Sequence, residues 1–404
     1  MKILVIGSGG REHAIAWRLA KEGHKIFAWP GNPGIAQVAE IRQDVDADLT
    51  VVGPEAPLAE GIVDQYRARG LAIVGPSREQ AQLEASKIHA KELMQRLAIP
   101  TGRFIRAESC QDAVDSLTNF EYPVVIKADG LAAGKGVVIA RDRGEAESAI
   151  ERLGPRLVIE EFLRGEEVSF IVLSDARDFV AFDATQDHKA AGDDDTGPNT
   201  GGMGAYSDGR ILSSADAGRV METIIAPVIR ATGFTGFLYA GLMMTAEGPK
   251  VLEFNVRLGD PETQPLMHRL DCEFAEILMR AATGSLRGAE LRFKRDPSVC
   301  VVLAAAGYPG TVRSGDPIEG IENCGAQVFQ AGTRVGPRGL ETAGGRVLGV
   351  TASGADLAAA IRNSYAAVSR IHFEGMHYRR DIGKKGLKRW ATIEGKSWGR
   401  SSDG

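Results

Sequence analysis

The sequence predicts an α/β region at the N-terminus followed by an α+β region, and three observations carry that prediction. Over residues 1–85, apolar strand-like runs such as "KILVIG" alternate with helical stretches, the order that builds a parallel sheet. Beyond residue 86, strand-like runs come in neighbouring pairs joined by glycine turns, as in "TGFLYAGLMMTAEGPKVLEFNVRLG". Residues 290–385 form a further stretch that is again rich in strands.

Each element has a local reason. "KILVIG" is a continuous apolar run closed by glycine, the mark of a buried strand. "REHAIAWRLAKEG" has helical spacing, with Ala14, Trp17, Leu19 and Ala20 on its apolar face and Gly23 as its stop. "KIFAW", "DLTVVGPE" and "LAIVGPS" are further strands, completing a Rossmann-like parallel sheet in residues 1–85. Ligands of such sheets bind beyond the carboxyl ends of the strands, where "GSGGRE", "PGNPG", "GPEAP" and "GPS" stand. "SKIHAKELMQRLAIP" is a helix capped by Ser86. "PVVIKADG" is a strand and "GEAESAIERLG" a helix; "RLVIEEFLRGEEVSFIVLS" is two strands about a turn at Arg164–Gly165. The long hairpin turns at Glu247–Gly248–Pro249. In the last third, "SVCVVLAAAGYPG", "AQVFQAG" and "GGRVLGVTA" are strands, and "DLAAAIRNSYAAVSRI" is an amphipathic helix.

Composition narrows the function. The 404 residues suffice for two to four domains. A hydrophobic content of 44% and a charged content of 25% are ordinary for a globular protein. The net charge of −5 argues against duplex nucleic acid as the main partner. Arg379–Arg400 is a local exception, with eight Lys/Arg against two acids; its end, residues 386–404, reads as a solvated, partly disordered basic tail. The four cysteines are far apart, without zinc or disulfide spacing. "MKILVIGSGG" is no signal peptide, and no apolar run approaches the roughly 20 residues needed to span a bilayer. A reducing cytoplasm, small-molecule substrates, and no membrane or nucleic-acid partner are expected.

Four stretches carry chemistry. In "GSGGRE", Gly7 and Gly9 fit a dinucleotide fingerprint, but Glu12 stands where the third glycine belongs, and "FAWPGN" lacks the ribose-binding acid. A nicotinamide site is therefore disfavoured. What remains is either an anion-favouring turn at a helix N-terminus, reinforced by Arg11, or a tight turn with a surface arginine. "KADGLAAGKGVVIA" is not a Walker A loop: Gly130 and Gly134 enclose three residues, Gly136 follows Lys135, and the chain returns into a strand. It is a glycine-rich flap between antiparallel strands, able to lay backbone N–H groups and two lysines over phosphates. A hairpin with solvated lysines fits less well, because Lys127 follows the apolar "PVVI" and an unpaired charge there is costly.

In "VLEFNVR", alternation puts Glu253, Asn255 and Arg257 on one face and Leu252, Phe254 and Val256 on the other. Glu and Asn offer hard oxygens for Mg²⁺. Arg257 suits a carboxylate or phosphate, or pairs structurally with Asp260 or Glu262. A solvated amphipathic edge strand is the plainer alternative. "QDHKAAGDDDTGPNTGGMGAYS", residues 186–207, has no helical or strand period and reads as a substrate-gripping loop or a disordered surface loop. "GDPETQP" reads as a second substrate loop.

These stretches in their order, with "VIEEFLRGEEVSF" and "LEFNVRLGDPETQPL", resemble the phosphoribosylamine–glycine ligases, also called glycinamide ribonucleotide synthetases, over residues 1–385. That family belongs to the ATP-grasp ligases. The resemblance implies an ATP-grasp fold: a substrate domain at 1–85, an ATP-grasp domain at 86–285 with a lid at about 105–172, and a small β-rich domain at 290–385. It implies ligation of glycine to 5-phosphoribosylamine through glycyl phosphate, with ATP cleaved to ADP and phosphate and Mg²⁺ or Mn²⁺ as cofactor. By that analogy Lys87 and Lys127 bind ATP phosphates under the flap of Gly134, Lys135 and Gly136. Glu160, Glu161, Phe162 and Leu163 form the hinge beside adenine, Glu167 takes the ribose, and Glu253 and Asn255 hold the metal. Gly9, Gly10, Arg11, Glu12, Glu55, Asp187, Arg257, Asp260, Glu262 and Thr263 bind the other substrates, with Arg257, Lys127 and Asp187 as catalytic candidates. A monomer is expected.

Another purine-pathway ATP-grasp ligase would lack "DTGPNTGGMGAYS", and a non-catalytic nucleotide-binding regulator could drop Glu253 and Asn255. Two stretches are shorter than the family usually has. Between "PGNPG" and "DLTVVGPE" a strand and most of a helix are expected to be missing, and the lid insertion before "RLVIEEFL" is short.

Overall fold

A computed structural model describes residues 1–131 and 136–387. Three sheets organise it. The first is parallel, in the order Glu40–Ile41, Lys25–Pro30, Lys2–Gly7, Leu49–Val52, Ile73–Val74. Its central strand is the most apolar, and Ile3 and Val5 are wholly buried. The helix Gly10–Lys21 leaves directly from its carboxyl end. The strand expected to be missing is present as two exposed residues at the sheet edge; a 3-10 turn, Ile35–Gln37, precedes it, and residues 42–48 after it hold no helix.

The second sheet is antiparallel, in the order Phe104–Ala107, Leu157–Glu161, Val124–Ala128, Val137–Ala140. Helices Cys110–Ser116 and Arg143–Leu153 share its core. Each begins on a side-chain cap, Ser109 accepting from the Asp112 amide and Asp142 from the Glu145 amide. The helix expected at "SKIHAKELMQRLAIP" runs Lys87–Arg96, and Ser86 Oγ caps it through the His89 amide.

The third sheet has nine strands. Its path is Gly248–Asn255, Thr235–Thr245, Glu166–Asp175, Thr185–Asp187, Gly204–Ser207, Ser298–Ala304, Arg346–Ser353, Gln327–Gln330, with Phe179–Ala181 pairing beside Glu166–Asp175. The hairpin turns at residues 246–247, one residue before the expected place, since Thr245 pairs with Gly248. The strands on either side of Arg164–Gly165 do not pair with each other: Leu157–Glu161 lies in the second sheet and Glu166–Asp175 in the third. Residues 162–165 are thus the crossing between sheets. The strands expected in the C-terminal third extend the same sheet, and helix Leu357–Val368 packs on them.

Residues 186–207 are not a structureless loop. Thr185–Asp187 and Gly204–Ser207 are paired strands, and between them Ala190–Gly192 and Thr196–Asn199 form a small hairpin with Asp193–Asp195 at its tip. The glycines that read as looseness include positions of close approach. Gly202 has φ +111°, and a Cβ there would lie 2.4 Å from Pro261 Cδ and 2.8 Å from Asp187 Oδ1. No helix among the described residues is long and apolar enough to cross a membrane.

Two histidines are buried neutral. His13 Nδ1 accepts from the Gln330 amide at 2.8 Å, joining the first helix to the far strand of the third sheet. His188 packs between Gly204 and Gly383. Burial lowers each to about 4 from the usual 6.5. Below pH 6.5 the unfolded chain takes up protons that the folded one refuses until about pH 4, so stability is lost as pH falls through that window. The full difference is about 3 kcal/mol per histidine. His13→Asn should therefore show a smaller loss of unfolding free energy than the parent between pH 6.5 and 4, read by urea denaturation. A difference between the two proteins that stays constant across that pH range contradicts the assignment.

Candidate active site

A cleft of about 670 Å³ opens where the three sheets meet. One wall begins at Lys127, on strand Val124–Ala128. Its ammonium lies 3.0 Å from Glu160 Oε1 and donates to the Leu252 carbonyl at 2.8 Å. The other carboxylate oxygen of Glu160 accepts from Lys91 Nζ at 2.8 Å, and Lys91 also donates to Thr101 Oγ1 at 2.7 Å. All three charged groups are buried, and burial pulls Lys91 down to about 8 although Glu160 opposes this. Lys87, at the start of the same helix, donates to the Gly130 carbonyl at 2.8 Å. Asp129 Oδ1 accepts from Ser86 Oγ and the Ile88 amide, which fixes the root of the flap on the helix N-terminus. Gly136 lines the cleft from the far side of the flap; Gly134 and Lys135 lie outside the described residues.

Glu253 faces the cleft and is half-buried. Burial works to raise its pKa, but Lys189, Lys127 and Lys87 outweigh it and hold the carboxylate at about 2. Lys189 Nζ stands 3.6 Å from Glu253 and 3.6 Å from Glu167. Burial would discharge this lysine, but Glu167 and Glu253 prevail and keep it charged well above the usual range. Asn255 Oδ1 accepts from Arg257 Nη2 at 3.0 Å. A carboxylate ionised at any physiological pH beside a carboxamide oxygen fits a hard divalent cation.

Arg257 pairs with neither Asp260 nor Glu262. Its Nη2 lies 2.7 Å from Glu84 Oε1 and its Nε 3.5 Å from Glu55 Oε2. Glu84 also accepts from the Val256 amide at 2.8 Å, so it fixes both the guanidinium and the strand end that carries it. Burial raises Glu84 against the pull of Arg257, whereas for Glu55 burial loses to Arg257 and Arg11 and the pKa falls.

The turn Gly7–Glu12 settles one alternative. Arg11 is buried, not on the surface: its Nε meets Glu12 Oε1 at 2.6 Å and its Nη1 donates to the Leu258 carbonyl at 3.0 Å. Glu12 folds back to accept from the Gly9 amide at 2.6 Å. In the place of a third glycine it is thus an internal cap, and a Cβ on Gly53 would meet its Oε1 at 2.0 Å.

Opposite, Asp187 is raised well above the usual carboxylate range by burial and by Glu262. Glu262 accepts from Tyr239 Oη at 2.7 Å and from Ser169 Oγ at 3.1 Å. Arg346 donates to the carbonyls of Gly201 and Asp260 at 2.6 and 2.5 Å, tying two loops. Burial opposes ionisation of Asp260, but Arg346 and Arg11 keep its pKa low.

The cleft therefore brings together Gly9, Arg11, Glu12, Glu55, Lys87, Lys127, Gly136, Glu160, Glu161, Phe162, Leu163, Glu167, Asp187, Glu253, Asn255, Arg257, Asp260 and Glu262. Gly10 and Thr263 do not line it. Gly10 starts a helix, and Thr263 is fully buried with its hydroxyl on the Gly259 carbonyl. Sequence reasoning missed Lys91, Lys189, Glu84, Tyr239 and Arg346. Two had a usable signal: Lys91 is one helical turn from Lys87, and Lys189 follows Asp187 by two residues, just past the end of its strand.

The shared carboxylate predicts unequal costs. Glu160→Gln leaves two buried ammoniums facing one another, and breaking a buried pair in this way costs about 3–5 kcal/mol. Lys91→Met leaves the Lys127–Glu160 pair intact and should cost clearly less. Chemical denaturation of the two variants measures this; equal losses would show that Glu160 does not bridge both lysines.

The sequence and the fold have known relatives. Family models described as phosphoribosylglycinamide synthetase match residues 1–84 (N domain), 85–263 (ATP-grasp domain) and 298–385 (C domain). Phosphoribosylamine–glycine ligase of Ralstonia nicotianae is 47% identical, covering 96% of this chain and all of that one. The Escherichia coli K12 protein of the same name is 44% identical, covering 96% and 99%. The crystal structure of phosphoribosylamine–glycine ligase from Thermotoga maritima superposes with a TM-score of 0.84 at 33% identity, covering 95% and 100%. A biotin carboxylase domain from Hydrogenobacter thermophilus, solved with MgADP, shares the fold at 17% identity and a TM-score of 0.71. The chain belongs to the phosphoribosylglycinamide synthetase family of ATP-grasp ligases.

Proposed function

We propose that this chain joins glycine to 5-phosphoribosylamine in purine biosynthesis, in the cytoplasm and as a monomer, cleaving ATP to ADP and phosphate through glycyl phosphate. The observation that carries this reading is the joining of two kinds of group in one cleft. Lys127, Lys87 and Glu253 are suited to a polyphosphate and its cation, and they connect through Asn255 to Arg257, which is suited to a carboxylate.

Lys127 and Lys87 hold the phosphates. Glu253 and Asn255 would hold Mg²⁺ or Mn²⁺, which when bound neutralises charge on the transferring phosphoryl group. Arg257, its Nη2 held by Glu84 and Asn255 and its Nη1 donating to the Leu258 carbonyl at 3.4 Å, keeps a second Nη1 N–H for the glycine carboxylate. Asp187 and Glu262 supply carboxyl oxygens for the amine and hydroxyls of the second substrate. No protein nucleophile is needed, because alignment alone can be worth effective molarities of about 10⁵–10⁸ M. The flap and the 186–207 segment keep water from the acyl phosphate.

Two experiments test this. ADP release should require both glycine and freshly prepared phosphoribosylamine for full rate, each being omitted in turn; ADP release indifferent to both would remove the proposal. Arg257→Lys keeps the charge but loses the planar fork. It should bind ATP nearly normally and lose ligation rate roughly ten- to hundredfold, the value of one or two charged hydrogen bonds. If Arg257 only clamps Glu84 and Glu55, melting temperature falls instead, and the ATP and glycine constants move together.

A further inference from the structure

Both arms of the small hairpin that follows Asp187 reach the cleft, through Lys189 on one side and Asn199, Thr200 and Gly201 on the other. The arms are tied at that end, where the Thr200 amide and hydroxyl both donate to the Lys189 carbonyl at 2.8 Å. The tip, Asp193–Asp195, points away and carries three acidic residues. By itself such a tip would be a solvated turn.

It is instead bound by a segment almost 190 residues later in the chain. Arg379, with a wholly buried side chain, donates to the Ala190 carbonyl at 3.2 Å and to Asp195 Oδ1 at 2.9 Å, and it is held in a fork by Asp381 at 2.7 and 2.6 Å. The Asp194 amide donates to Asp381, and the Arg380 amide to Asp193 Oδ1. Lys385 meets Asp195 Oδ2 at 2.5 Å. The Gly383 amide points to His188 Nε2 at 3.4 Å, and His188 is the residue between Asp187 and Lys189. The segment therefore touches the hairpin at its tip, along one arm, and at its root beside the cleft.

We infer that Arg379–Lys385 is a latch that fixes the Asp187–Gly201 stretch for reaction, with Arg379 as its positioning residue. Arg379 touches no substrate; it acts through the Ala190 carbonyl and the hairpin tip on Asp187 and Lys189. This rests on the reading of function above. If the hairpin is loose, glycine is still phosphorylated by groups on other elements, but the acyl phosphate is poorly shielded and the amine poorly aligned. Water then attacks the glycyl carbonyl in place of the amine, the bond from carbonyl carbon to the phosphate oxygen breaks, and glycine and phosphate leave. The net reaction becomes ATP and water to ADP and phosphate.

The test compares Arg379→Met, Asp195→Asn and a control, Asp175→Ala, in the full chain. Asp175, at the far end of its strand from Glu167, accepts from the Arg177, Asp178 and Leu286 amides and bonds to neither the hairpin nor residues 379–385, so its loss reports general destabilisation. Product formed per ADP released is measured with both substrates present, and amide hydrogen exchange is followed over residues 188–204. In Arg379→Met, product per ADP should fall severalfold, glycine-dependent ADP release should stay within a fewfold of the parent, and exchange should rise at least tenfold. The ATP constant, to which Lys189 contributes through Glu167 and Glu253, should change less than the coupling ratio. Asp195→Asn should show the same changes more weakly, and it serves in place of Arg379→Met should that variant fail to fold. Asp175→Ala should keep the parent's ratio. A parent-like ratio and exchange pattern in Arg379→Met, or in Asp195→Asn where it stands in, overturns the latch; so does an equal loss of coupling in Asp175→Ala. A parent enzyme whose ADP release ignores glycine and phosphoribosylamine overturns the reading of function instead, and hydrogen exchange alone then decides whether the latch exists.

Discussion

The cleft depends on one buried carboxylate. Glu160 sits on the last pairs of the second sheet, yet its two oxygens belong to other elements: one to Lys91 of the helix Lys87–Arg96, the other to Lys127. Lys127 passes the connection on to the Leu252 carbonyl, in the strand that carries Glu253 and Asn255. Taking three charges out of water is expensive, and such clusters persist only when geometry and hydrogen bonds compensate. Here Thr101 and Leu252 supply the additional partners. The arrangement explains why Lys127 can follow an apolar run, and why the second sheet and the strand of Glu253 and Asn255 meet at a defined distance.

The third sheet makes the second constraint. The strands Thr185–Asp187 and Gly204–Ser207 lie in its middle, between Glu166–Asp175 and Ser298–Ala304. The segment that bears Asp187 and Lys189 is thus rooted at both ends in paired backbone, and strands from the C-terminal third complete that pairing. Arg346 reaches the cleft from one of those strands. The last third of the chain is consequently part of the wall of the site and not an appendage to it.

Local elements were legible because their causes are local. The apolar run of Lys2–Gly7 and the Ser86 cap each declare themselves within a few residues, and the hairpin turn does so to within one residue. What escaped was pairing at a distance. Two strands separated by Arg164–Gly165 look like a hairpin, and nothing in their period says that each prefers a different sheet. Glu84 and Arg346 lie in stretches with no motif, and they became visible only through partners more than eighty residues away. Residues 186–207 were misread for a related reason. Glycine marks both slack and tight contact, and Gly202 belongs to the second kind, pressed against Pro261 and Asp187.

The trimmed edge of the parallel sheet has a consequence for behaviour in a crowded solution. A sheet edge with several free backbone groups is a template on which another chain can add a strand and start to aggregate. Glu40–Ile41 offers only two residues, and Glu40 stands among Lys25 at 3.7 Å and Arg42 at 3.8 Å. An incoming strand would find little backbone to pair with and a charged border to desolvate. On this side of the fold the sheet ends in an edge too short and too charged to recruit a neighbour.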